Sequence, residues 1–125
     1  MIQILHALEP RTEKKDTILI NELDEQNEVL FFNHGTIEIG YEINRIKKYV
    51  LRFKGINVIG AYDCTFNKRS TFVYNTISVC KGYSIRKHKW KAICQSNQEF
   101  SSYLNVLIFH DFETRIKKKI LIEKE

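Results

Sequence analysis

Apolar and polar positions follow two regimes along the chain. Through roughly the first two thirds, short runs of Val, Ile, Phe and Tyr are broken every ten residues or so by turn chemistry: "LDEQN", "NHG", "EINR", "FKG". In Thr36–Ile43, Ile37, Ile39, Tyr41 and Ile43 alternate with Glu38, Gly40 and Glu42, the period-two signature of a half-buried strand. Further strands are expected at Tyr49–Phe53, Val58–Ile59, Ser70–Thr76 and Ile77–Ile85, with Gly82 marking a bulge. Before them, "MIQILHALE" carries Ile2, Leu5 and Leu8 at helical spacing and is stopped by Pro10.

The second regime starts at "RKHKWKAIC", a short basic helix with Trp90, Ala92 and Ile93 available for packing. Ser96 and Glu99 then offer a capping box. From there Phe100, Leu104, Ile108, Phe112, Ile116 and Ile120 recur every four residues, the stripe of a long amphipathic helix ending at the basic Lys117–Lys119 cluster. The pattern predicts one domain over 1–125 of mainly β, α+β class: about eight antiparallel strands in a barrel or a jelly-roll-like β-roll (10–85), with a short N-terminal helix (1–9) and two C-terminal helices (86–95 and 97–119).

Composition changes this picture little. The chain has 125 residues, 43% hydrophobic, enough for a sizeable core, and no apolar run long enough to cross a bilayer. Three widely spaced cysteines (Cys64, Cys80, Cys94) without a CxxC argue for a reducing compartment and against a disulfide framework. Charge is unevenly spread: residues 1–63 hold 8 basic and 10 acidic side chains, residues 64–125 hold 12 and 5. The basic half suits a solvated face, or an acidic protein or anionic lipid surface. "KRS", "RKHKWK" and "RIKKK" leave a nucleic-acid-binding module as an alternative, and no nucleic-acid partner is expected.

Enzyme chemistry finds no support. Metal chemistry in a jelly roll needs converging ligands such as an H-x-H pair on one strand, whereas His6, His34, His88 and His110 fall on the first helix, a hairpin turn and the last two helices. No G-x-S-x-G, H-E-x-x-H or P-loop occurs. The reading is a non-enzyme with no metal site.

The stretch "VIGAYDCTFNKRSTFVYNT", residues 58–76, carries the most specific signal. Together with "NHGTIEIG", where Gly35 takes the turn and Ile37 and Ile39 the following strand, it resembles the cyclic nucleotide-binding domain family over essentially the whole chain. Residues 58–76 look like that family's phosphate-binding cassette, F-G-E-x-x-x-L-…-R-[ST]-A-x-V. Ile59 stands at the Phe, Gly60 keeps the glycine, Ala61 occupies the glutamate position and Arg69-Ser70 match the Arg-[ST] pair. Thr71 replaces the alanine and Val73 keeps the valine. In such a cassette, backbone N–H groups and the arginine hold the cyclic phosphate while the glutamate accepts from the ribose 2′-OH.

The resemblance therefore implies a ligand site built from Gly60, Ala61, Tyr62, Asp63, Arg69 and Ser70, with the sugar-reading acid missing and Tyr62 and Phe66 adding bulk. Losing a charge-assisted hydrogen bond costs about 1.5–3 kcal/mol, so cAMP or cGMP is expected to bind weakly or not at all, and no other cofactor is implied. Pocket-filling candidates are Tyr62, Phe66 and Ile120–Ile122. "IGAYDCTFNKRSTFVY" is most similar to the regulatory domains of voltage-gated potassium channels of the ether-à-go-go and hyperpolarisation-activated groups, in divergent protist form. That similarity implies a partner, the remainder of a tetrameric membrane channel, and a place at the cytoplasmic face of a membrane. A regulatory cAMP-binding domain of a non-channel protein is the alternative within the family.

Overall fold

The computed structural model describes residues 6–96 and 98–124, except for the side chains of 98–101, 103, 104, 123 and 124. Eight strands run in the order β1 (Glu9–Glu13), β2 (Ile18–Ile20), β3 (Glu28–His34), β4 (Thr36–Ile43), β5 (Ile46–Lys54), β6 (Asn57–Ile59), β7 (Val73–Thr76) and β8 (Cys80–Arg86). They form two four-stranded antiparallel sheets, β1-β8-β3-β6 and β2-β7-β4-β5. A short helix, α1 (Ala61–Phe66), bridges β6 and β7. After β8 come α2 (Lys87–Gln95), α3 (Gln98–Asp111), a π-helical segment (Phe112–Lys117) and α4 (Lys118–Lys124). This is the mainly β, roll-type α+β architecture that the pattern predicts.

Strand β3 explains how the layers stack. Its "VLFF" run is apolar on both faces because both faces are covered, as for any strand sandwiched between layers. Leu30 and Phe32 point into the core between the sheets with Ile37 and Ile39 of β4 and Tyr74 of β7. Val29 and Phe31 point the other way and pack with Ile85, Trp90 and Cys94 beneath the helices. Each large side chain so buried contributes about 1.5–3 kcal/mol. The β4–β5 hairpin closes on Asn44 and Arg45, both with positive φ (52° and 66°), the geometry that matches strand twist in a two-residue turn.

Several expectations shift. Of the first helix only His6 and Ala7 are described as helical, and 1–5 lie outside the described residues. Pro10 does not simply follow a helix: it sits in edge strand β1, opposite Tyr83 of β8, where a missing N–H is tolerated. The polar link after Gly60 is helix α1. Residues 77–79 do not belong to β8, which starts at Cys80; Tyr83 and Ile85 share its outer face, but only Ile85 is buried. The bulge expected at Gly82 falls on the opposite strand: the β3–β8 register shifts between Phe32 and His34, facing Gly82 and Lys81, and a Cβ on Gly82 would stand 1.9 Å from the Phe31 carbonyl oxygen. Arg86 ends β8 rather than opening α2, and the last helical stretch runs past 119 to Lys124. The Ser96 hydroxyl donates to the Ile93 carbonyl at 2.7 Å, closing the preceding helix; the Glu99 half of the expected box, like Phe100 and Leu104, lies outside the described side chains.

The every-four stripe and the π-helical segment explain each other. At about 3.6 residues per turn, side chains spaced by four drift about 40° per step around an α-helix. A wider turn over Phe112–Lys117 corrects that drift, so Phe112, Ile116 and Ile120 all join the core between the sheets. The Thr114 hydroxyl donates to the His110 carbonyl at 2.7 Å within this stretch.

Candidate functional site

Gly60 opens the site. It caps α1 in the left-handed region (φ 86°), and a Cβ there would meet the Glu28 carbonyl oxygen at 2.8 Å, so glycine is required on two counts. Cys64 N–H donates to the Gly60 carbonyl at 3.0 Å, and the Cys64 thiol, pushed up to about 11 by burial, contacts the Gln26 carbonyl at 3.6 Å. Asn67, also left-handed, ends the helix. The Trp90 indole N–H donates to Thr65 Oγ1 at 3.0 Å, tying α1 to α2.

Tyr62 faces both the last helix and a cavity, and Phe112 belongs to both. The last helix closes the roll: Phe112 stacks on Tyr62 with centroids 4.0 Å apart and planes 9° from parallel, and lies 6.1 Å from Phe72. Phe66 and Phe109 extend this aromatic group at 5.1 and 6.1 Å from Tyr62. About two turns beyond Phe112, in α4, Ile120 is fully buried (0% exposed) in the same core. The cavity, about 370 Å³, is lined by Gly60, by Ala61, Tyr62 and Asp63 of α1, and by Phe31, Trp90, residues of α3, and Phe112 and Ile116 themselves.

Asp63 is the chemically unusual group. It is 4% exposed, its Oδ1 has no hydrogen-bond partner among the described residues, and burial pushes its carboxyl up to about 6. The nearby Tyr74 hydroxyl, also on the cavity wall, is shifted upward by burial first and then by the charge of Asp63. Arg115 stands at the same cavity but is engaged elsewhere: it pairs with Asp111 at 3.6 Å, reaches Asn57 Oδ1 at 3.5 Å and lies 4.4 Å above the Phe53 ring.

The six residues singled out by sequence thus separate. Gly60, Ala61, Tyr62 and Asp63 line one cavity. Arg69 does not reach it: exposed, it donates from Nη1 to the Leu23 carbonyl at 3.0 Å, in a loop already stitched to the cassette by Leu23 N–H to Ser70 O (2.8 Å) and Ser70 N–H to Asp24 O (3.0 Å). Ser70 is buried and its hydroxyl donates to the Phe72 carbonyl at 2.7 Å. Of the filling candidates Ile120–Ile122, Ile120 enters the core while Leu121 and Ile122 stay exposed; Phe112 belonged to the visible stripe, but its insertion between the sheets had no separate sequence signal. Asp111 and Arg115 had none. Among the described residues no group of three or more His, Cys, Asp and Glu side chains is placed to hold a metal, and no helix is long and apolar enough to cross a membrane.

No protein-family model matches this chain, and no curated protein matches it in sequence. Solved structures do match in shape. The C-linker/CNBHD of zELK channels, crystallised in the presence of cAMP, superposes with a TM-score of 0.73 at 14% identity, over 87% of this chain and 55% of that one. PKAR CBD2 with Sp-2Cl-cAMPS bound gives 0.73 at 15% identity, over 97% and 74%. The regulatory domain of Toxoplasma gondii PKA with cAMP gives 0.68 at 16% identity, over 74% of this chain and 35% of that one, so the chain spans about a third of its length. The protein has the fold of cyclic nucleotide-binding domains.

Proposed function

We propose that this chain is a cyclic nucleotide-binding-like regulatory domain of a voltage-gated potassium or cation channel, in which the chain's own last helix closes the roll and nucleotide binds weakly or not at all. The observation that carries this reading is the Phe112–Tyr62 stack, with Ile120 buried behind it in the core that joins the two sheets. The engagement of Arg69 with the Leu23 carbonyl supports it, because a guanidinium turned to the surface offers nothing to a phosphate inside. Gly60, Ala61, Tyr62, Asp63, Arg69 and Ser70 are then the remains of a cassette. The likeness to the zELK domain supports the channel reading, and the equal TM-score of PKAR CBD2 keeps a non-channel regulatory domain as the alternative. The domain works at the cytoplasmic face of a membrane as part of a tetrameric channel, and movement of the last helix relative to the roll is what its partner senses, to the extent that the two positions differ in free energy.

Calorimetric titration of cAMP and cGMP into the chain tests the reading. Saturable binding no tighter than about millimolar, worth about 4 kcal/mol, or none, is expected. Micromolar affinity for either nucleotide overturns it.

A further inference from the structure

The cavity beside Tyr62 holds an acid that the fold itself leaves unanswered. Asp63 Oδ1 is buried and has no partner among the described residues, while the lining contributes a second carboxylate, Asp111, and one guanidinium, Arg115. Arg115 is committed to Asp111, Asn57 and the Phe53 face, so the negative charge of Asp63 is uncompensated. A buried carboxylate without a partner is costly, and any cation that reaches it recovers part of that cost. The remaining walls suit an apolar cation: Phe31, Tyr62, Tyr74 and Trp90 present aromatic rings, whose faces attract positive charge. At about 370 Å³ the space falls in the size range of small-molecule sites. Val58 and Leu107, 48% and 46% exposed, form its rim and leave it open to solvent.

We propose that this cavity binds a small organic ammonium ion, an amine carried on an aromatic or apolar body, with its charged head paired to Asp63 and its body against Trp90 and Phe31. An anion is disfavoured there by the same carboxylate, so the ligand class differs from a cyclic phosphate although Gly60, Ala61, Tyr62 and Asp63 belong to both readings. The proposal does not depend on the channel reading: it stands or falls on Asp63 and the cavity walls.

The test uses the full chain, with 2-phenylethylamine as probe, 2-phenylethanol as its neutral counterpart and phenylacetate as its anionic one, at about pH 7.5 and constant ionic strength. Amide resonances of Gly60 and Asp63, the indole N–H resonance of Trp90 and the fluorescence of this single tryptophan report occupancy. Expected are saturable shifts with the amine, affinity for the alcohol at least about tenfold weaker, no binding of phenylacetate, and loss of the amine's advantage in D63N. Equal affinity for amine and alcohol, an advantage that survives D63N, or no shift at these residues because the cavity holds only water overturns the proposal. The amine-to-alcohol ratio is read on the unmodified chain, so it stands even if D63N fails to fold.

Discussion

Two groups of residues around Tyr62, the Phe112–Ile120 stripe and the Asp63 wall of the cavity, solve the problem of a hollow roll in opposite ways. Phe112 and Ile120 fill space between the sheets with hydrocarbon, Phe112 also forming one wall of the cavity. Toward α2 and α3, the space stays open and a buried carboxylate faces it unpaired. Filling a cavity requires only shape and a well-placed helix, and the fold keeps whatever stability results. Burying an acid without a partner works against the fold, so such a group persists where something other than stability retains it. The contrast separates the contacts that hold the fold together from the buried carboxylate that works against it.

The largest expected effect lies with the Phe112–Ile120 stripe. F112A removes a stacked ring from the core and should destabilise the chain by about 3–5 kcal/mol in denaturant unfolding. Because Arg69 remains at the surface, the opened space should not acquire cAMP affinity; if it did, the guanidinium would have to swing in, and the two groups would not be independent. A loss under about 1 kcal/mol would mean that the ring fills no essential space.

A smaller effect, of opposite sign, is expected at Asp63. The folded chain retains the Asp63 proton up to about pH 6, against an ordinary value of 3.8. The native state therefore binds more protons than the unfolded chain between about pH 4 and 6, and stability falls as pH rises through that window. Full ionisation costs at most about 2–3 kcal/mol by pH 7. D63N should be more stable than the parent at pH 7 by about 1–2 kcal/mol, and the difference should shrink toward pH 4; thermal melts across that range measure both. An unchanged pH dependence would mean that Asp63 ionises as freely as in water. The smallest effect belongs to R69A, which loses a surface hydrogen bond to the Leu23 carbonyl and should cost about 1 kcal/mol or less in the denaturation midpoint. A cost above about 2 kcal/mol would make Arg69 the anchor of the 21–27 loop.

What could be read in advance follows from whether the signal is local. Strand β4 announces itself because one face is buried and the alternation is strict. Strand β1 does not: "EPRTE" is polar, contains proline, and is a strand only because β8 lies beside it. Helix α1 has six residues, too few for a periodic stripe. Gly60 was legible through its turn, whereas the direction of Arg69 depends on a carbonyl 46 residues away in sequence. Asp63 could be named, but its isolation is a property of everything packed around it.

The widened turn at Phe112–Lys117 also fixes the phase of the chain's end. Each residue advances an α-helix by about 100°, so deleting one from this stretch would bring a different flank of the final turn to the roll. Ile120 would leave its niche and one of its outward-facing neighbours, Leu121 or Ile122, would be swung toward it. A single surplus residue thus acts as a key cut for one orientation, deciding which hydrocarbon locks the barrel and which is shown to the outside.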